Sequence, residues 1–314
     1  MLTFVARRLA NGIAMLFVIS SVAFLLLYLT GGDIARTILG EFATEEAVRQ
    51  RAYELGLDQP LLTRYWDWLS SALTGNFGDS WFAASSVSDL VLSRLAVTLS
   101  LVGLAVLLIA LVATAIGVFA AVHRGGLADR FVQFFSLMAA AVPPFLIALA
   151  FVMLFSLQLG WLAPSGFTAP SDSIPGWLAS VALPVGALLV AGVAGSAQQV
   201  RGAMVDTLNQ DYIRTLRSRG LPFRSVVLKH ALRNAAGPGL SVLALQFIAL
   251  LGGAIVIENL FAIPGLGSLS ARSTIQGDIP VIMGVVVTIS IIVIVVNLVI
   301  DIVHGWLNPK VRVA

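Results

Sequence analysis

The sequence predicts an all-α integral membrane protein with six transmembrane helices. Three observations carry that prediction: 58% of the 314 residues are hydrophobic, only 11% are charged, and the charges leave six long windows without Asp, Glu, Lys or Arg. Soluble chains carry roughly 25% charged residues, so this composition cannot cover a surface that faces water on every side. The absence of cysteine excludes a disulfide framework, a thiolate metal site and a cysteine nucleophile. His123, His230 and His304 lie far apart, without metal-ligand spacing and without Ser and Asp arranged around them, so no metal site and no hydrolytic centre is expected. The net charge of +3 says little by itself; with so few charges, their positions matter more than their sum.

The windows are Leu9–Thr30, Leu95–Val122, Phe131–Ser171, Ser173–Val200, Asn234–Ile257 and Ile279–Ile300. A spanning helix needs about 20 apolar residues. The third window is too long for one helix, and Gly160, Pro164, Gly166 and Pro170 end its helix near Gln158. The fourth helix is expected from Trp177, after Ile174-Pro175-Gly176. Pro143-Pro144 and Pro184 should kink or break the third and fourth spans. Arg7 and Arg8 before an apolar run could open a signal peptide, but such cores run about 7–15 residues and end in small residues. This one ends in Tyr28-Leu29-Thr30 and reads as an uncleaved first span.

Orientation follows from the basic residues between spans. With the N-terminus inside, the inner segments hold thirteen Lys and Arg and the outer segments six. Both termini are therefore expected in the cytoplasm. The chain then divides into residues 1–30 (N-terminus and first span), an extracytoplasmic loop over 31–94, and a core over 95–314 that includes a cytoplasmic loop at 201–233.

In the outer loop, Thr44-Glu45-Glu46 looks like a helix cap with acids in the first turn, so a helix is expected over about 45–55, stopped at Gly56. A second is expected over Leu61–Leu73, carrying Tyr65, Trp66 and Trp68, residue types that favour the membrane–water boundary. Two readings stay open: a loop packed on the membrane face, or a landing site for an extracytoplasmic partner. In the inner loop, Met204, Leu208, Tyr212 and Leu216 follow an i, i+4 rhythm up to Arg217-Ser218-Arg219, and Gly220-Leu221-Pro222 breaks it. A second short helix, Phe223–Leu232, brings Phe223, Val226 or Val227, and His230 into line. Seven basic residues over 201–233 would suit topology alone, but two amphipathic helices hinged at Gly220 suggest a protein-docking element.

This loop resembles that of inner-membrane permeases of ATP-binding-cassette (ABC) importers, in the peptide/nickel branch. The resemblance rests on Asp211-Tyr212-Ile213-Arg214-Thr215-Leu216-Arg217-Ser218-Arg219-Gly220-Leu221-Pro222, on Gly56-Leu57-Asp58-Gln59-Pro60, and on Tyr65-Trp66-Asp67-Trp68-Leu69. Gly75-Asn76-Phe77-Gly78, Val256-Ile257-Glu258 with Pro264-Gly265-Leu266-Gly267, and Asn308-Pro309-Lys310-Val311-Arg312 extend it over nearly the whole chain. The long loop after the first span is similar to the first of the two permeases in such systems. Three departures stand out. The Glu-Ala-Ala positions are Arg214-Thr215-Leu216, the usual Pro-Gly-Asp after the first span is Gly31-Gly32-Asp33, and His230-Ala231-Leu232-Arg233 is followed by Asn234 rather than Pro.

The resemblance implies a type I ABC importer permease fold, a second permease as heterodimer partner, two ABC ATPase subunits and an extracytoplasmic substrate-binding protein. Membrane lipid is a further partner and nucleic acid is not. It implies transport of di- or oligopeptides, with nickel complexes or another small solute behind them. Asp211, Tyr212, Arg214, Thr215, Arg217, Arg219, Gly220, Leu221, Pro222 and His230 would form the loop that couples to an ATPase. The chain has no Gly-x4-Gly-Lys-Ser/Thr phosphate loop, since its only lysines, Lys229 and Lys310, follow Leu228 and Pro309. It is therefore expected to be no enzyme and to hold no cofactor; ATP and Mg would be used by the partner ATPases.

An ion-coupled secondary transporter is the alternative, and a membrane scaffold with the same docking loop is another. The former usually places ionisable groups within the membrane; here Glu258 and Asp301 fall at span ends. Glu258 is expected to bond backbone groups near Pro264-Gly265. Gln246 and Asn297 suit helix–helix hydrogen bonds, or a substrate path.

Overall fold

Helices dominate the computed structural model, which describes residues 2–30 and 34–307; among these an isolated bridge between Asp79 and Ser86 is the only extended pairing. Gly31-Gly32-Asp33 and Asn308–Arg312 lie outside the described residues. Five helices are long and apolar enough to cross a membrane, and six if one bent pair counts as a span.

The chain divides into two units. The first contains the residues up to Val97 together with Pro264–Val295. Its helices are α1 (Leu2–Thr30), α2 (Ile34–Leu39), α3 (Glu45–Glu54), α4 (Leu61–Ala72), the start of α5 (Val87–Val122), α12 (Leu266–Gln276) and most of α13 (Ile279–Leu307). The expected cap is present: Thr44 Oγ1 accepts from the Ala47 N–H at 3.3 Å, and Gly56, at φ 64°, follows the end of α3. Phe24, Ile34, Ile279 and Met283 are buried here, with Leu27, Leu61, Tyr65, Trp68 and Trp81 packed around them. A second apolar cluster joins Val87 and Val91 of α5 to Leu266, Leu269, Val281 and Val285. The loop before α5 is pinned by buried Asp278, which accepts from Ser80 Oγ at 2.5 Å and from the Trp81 N–H at 3.3 Å.

The second unit holds Thr98–Ile263 and the residues from Val296 on. It contains the rest of α5, α6 (Leu127–Ala141), α7 (Pro144–Phe151) running into π-helical turns at Val152–Gln158, and α8 (Ile174–Leu208). Next come α9 (Asp211–Ser218), α10 (Phe223–Ser225), π-helical turns at Val226–Ala231, and α11 (Leu232–Leu260). Gly117 of α5 lets α8 approach: a Cβ there would meet the Ala197 carbonyl oxygen and the Val200 side chain at 2.8 Å.

The expected kink or break at Pro143-Pro144 is a break: α6 and the α7 segment are set at 94°. Val142 is extended (φ −98°, ψ 121°) because the residue before a proline avoids the α region. Pro143 (φ −58°, ψ 140°) precedes Pro144 and is extended for the same reason. Pro184, by contrast, sits inside an unbroken α8, started three residues earlier than expected by Ser173, whose hydroxyl caps the Gly176 N–H at 3.1 Å. Val181, Leu183, Val185, Ala187 and Leu188 are all buried around that proline, and such packing holds a helix through it. Lastly, the loop 201–233 is divided differently. α8 runs on to Leu208, a turn at Asn209-Gln210 interrupts the expected first helix, and the expected second helix merges through the π-helical turns into α11.

Candidate functional site

The predicted docking residues come together on α9 and the turn after it. α9 is amphipathic by sequence: Tyr212, Ile213 and Leu216 face one way, Asp211, Arg214, Thr215 and Arg217 the other. The first set packs into a core of Ala121, Met204, Val205, Val226, Val227, Ala231 and Ala235. The second set is exposed, as are Arg219, Gly220 and Pro222, while Leu221 and His230 are half-buried. The apolar face thus fixes the helix and leaves its other face exposed.

The turn is built by Gly220. Its φ of 81° lies in the left-handed region, where a Cβ costs energy, and its N–H returns to the Arg217 carbonyl at 3.0 Å. Leu221 closes a wider loop onto the Leu216 carbonyl at 3.3 Å, and Pro222 directs the chain into α10. Arg217 lies over the Phe223 ring at 5.6 Å, across the turn. Tyr212 Oη accepts from Asn234 Nδ2 at 2.8 Å, linking α9 to α11. Nothing lies within 4 Å of a Cβ built on Gly220, so the position is tight in backbone geometry but open in space.

A second feature sits behind this surface. Asp129, in the first turn of α6, forms a forked ion pair with Arg201 of α8, Nε to Oδ1 at 2.5 Å and Nη2 to Oδ2 at 2.6 Å. The Gly125 N–H adds a bond to Oδ2 at 2.9 Å. The Asp129 side chain is 2% exposed and that of Arg201 21%. The pair fastens the front half of the bent segment to the helix that leads into α9.

At the far end of the unit, Glu258 is fully buried near the end of α11, and Thr98 Oγ1 of α5 donates to its Oε1 at 2.6 Å. Its backbone carbonyl accepts from the Ile263 N–H at 2.8 Å. Thr98 is a side-chain partner that the sequence did not suggest. Gln246 and Asn297 are half-buried, and among the described residues neither side chain makes the hydrogen bond expected of it. Gln246 Nε2 would lie 2.8 Å from a Cβ on Gly192, so it rests on the glycine face of α8. A 270 Å³ cavity between α5, α8 and α11 is lined by Thr114, Ser196, Leu240 and Leu243, and includes neither amide.

Residues 113–313 match the family described as binding-protein-dependent transport system inner membrane component, and residues 1–102 match its N-terminal family. The chain belongs to this ABC importer permease family. A probable peptide ABC transporter permease of Sinorhizobium fredii is 35% identical over 98% of this chain and 99% of its own. A putative peptide transport system permease of Brucella abortus (strain 2308) and a glutathione transport system permease of Escherichia coli (strain K12) are each 36% identical. Both alignments cover 99% of both chains.

The permease is thus a transport component and not an enzyme, a multi-pass protein of the inner membrane. Family membership implies ATPase and binding-protein partners and a further permease. Sequence reasoning missed three of its linking residues. Asp129 pairs across 72 positions and Thr98 across 160, separations that no local pattern reveals. One signal was available: Asp129 is one of only three acids in the segments read as inner, and Arg201 opens the basic loop.

Proposed function

We propose that this permease forms half of the translocation path of an ABC importer for peptides, as the first of two permease subunits, with both termini in the cytoplasm. The exposed basic face of α9 at the Gly220 turn would rest in a groove of a separate ATPase subunit. The observation that carries this reading is the division of α9 into a packed apolar face and a free face of Asp211, Arg214, Thr215 and Arg217. A load on that free face passes into α8 through the shared apolar core and into α11 through Tyr212–Asn234. The peptide relatives support the substrate class, and the glutathione permease extends it to glutathione-like peptides. Gln246 and Asn297 are proposed as polar groups along the path, each replaceable by Ala with reduced uptake and unchanged assembly.

Uptake into reconstituted vesicles tests the reading. Gly220→Leu should weaken co-purification of the ATPase and abolish ATP-dependent peptide uptake. Normal association and uptake in that variant would remove the docking assignment. Accumulation driven by an ion gradient without any ATPase would replace this reading with a secondary transporter. For orientation, a reporter fused after residue 76 should read external and one at residue 220 internal.

A further inference from the structure

α4 has two apolar faces, and among the described residues only one is packed. Leu61, Tyr65 and Trp68 pack onto the cluster that holds Phe24 of α1, as do Ala23 and Leu27, and Tyr65 and Trp68 meet the Phe24 ring. Tyr65 Oη bonds Ser21 Oγ at 2.7 Å, and its ring meets Phe24 at 5.2 Å. Trp68 stacks on Tyr65 at 6.1 Å, and Arg64 lies 4.9 Å over the Tyr28 ring. At 100° per residue, Leu62, Trp66, Leu69 and Leu73 form a second stripe beside that face. Leu62 is 78% exposed, Trp66 67% and Leu73 82%. Thr63, Asp67 and Ser70, also exposed, occupy the polar side.

The level at which α4 meets α1 decides what covers the second stripe. Phe24 and Tyr28 precede the end of α1 at Thr30 by six and two residues, which is about 9 and 3 Å along a helix axis. An amphipathic helix lying in a membrane boundary buries its apolar face about 5–10 Å deep. The contacts of α4 on α1 run from Phe17 and Ser21 to Tyr28, all inside the apolar stretch Val5–Tyr28, so α4 lies alongside the carboxyl-terminal half of a spanning helix. At the same level Leu25 and Leu26 of α1 stay 44% and 56% exposed, side chains that need an apolar environment as well.

We propose that Leu62, Trp66 and Leu73 lie in lipid, so that α4 is an interfacial helix anchored in the leaflet at the carboxyl end of α1. Asp67 and Ser70 face water. The Trp66 indole is suited to this position, with an apolar ring and one N–H donor for the headgroup region.

The absence of cysteine makes the test direct. Single-cysteine variants L62C, W66C, L73C, D67C and S70C, all at exposed positions, carry a nitroxide label. The full chain, in its native assembly, is placed in phosphatidylethanolamine–phosphatidylglycerol vesicles. Collision with oxygen, which partitions into lipid, is compared with collision with a water-soluble nickel chelate. Labels at 62, 66 and 73 should show an oxygen-to-chelate ratio several-fold above those at 67 and 70. Equal ratios at all five positions would overturn the proposal. So would labels at 62, 66 and 73 that are open to the chelate in vesicles and become shielded only when the extracytoplasmic binding protein is added. That second outcome would make the stripe a protein-docking face.

Discussion

Asp129–Arg201 and Thr98–Glu258 both tie helices that are distant in sequence, with Asp129, Thr98 and Glu258 buried and Arg201 half-buried, but they are built differently. The first is a forked ion pair with a backbone N–H added to it, at the end of the unit that carries α9. The second joins a hydroxyl to a carboxyl group at the opposite end. A buried charge without its partner is expensive, so the first link tolerates no neutral replacement on one side. A hydroxyl needs only an acceptor, so the second link tolerates an exchange of acceptor type. The end of the permease that faces its proposed motor is thus fixed by charge, and the other end by hydrogen bonding.

The largest effect should come from Arg201→Ala, which leaves the buried Asp129 carboxylate unpaired, a loss of about 3–5 kcal/mol, read as a lowered melting temperature of the detergent-purified assembly. Asp129→Ala should cost less, because the Arg201 side chain is 21% exposed. The double variant Asp129→Leu/Arg201→Met should recover most of that stability. If it regains stability but not uptake, the pair serves coupling rather than folding. Next in size, Glu258→Ala removes the acceptor of the Thr98 hydroxyl, costing about 1–3 kcal/mol. Glu258→Gln, whose amide oxygen can accept the same bond, should cost less; equal losses in the two would erase the contrast between the pairs. Gly220→Ala should cost about 1–2 kcal/mol from left-handed strain alone, since no neighbour crowds the site; a larger drop in thermal stability would reveal a contact. The smallest change should come from Arg36→Ala. Arg36 forms an ion pair with Glu45 whose side chains are 34% and 71% exposed, and such pairs contribute about 0–1 kcal/mol. A loss there as large as in Arg201→Ala would mean that charge, not burial, sets the cost.

Much of this was legible in the sequence because it is local. Charge-free windows located the spans, Thr44 with Glu45 and Glu46 located α3, and Gly220 with Pro222 located the turn. What escaped is long-range, or exceeds the rule used to read it. α5 begins at Val87, eight residues before its window, because a helix continues past the lipid boundary and accommodates Asp89 and Arg94 there. At Pro143-Pro144 the sequence marks a kink or break, but a proline pair does not give its angle, here 94°. In the loop 201–233, a strict α repeat leaves Val226 and Val227 as alternatives for one buried position. Both are buried, because the wider π-helical turn brings each side chain inward.

That wide turn also predicts where the chain accepts a change of length. A π-helical turn takes up one residue more than the surrounding ladder without disturbing the helix on either side. Deleting one residue within Val226–Ala231 should return it to ordinary α geometry and leave both the Gly220 turn and α11 where they are. The same deletion in the middle of α11 would rotate everything beyond it by about 100° and turn Glu258 away from Thr98. Among relatives one residue shorter here, a gap between Val226 and Ala231 is the expected outcome.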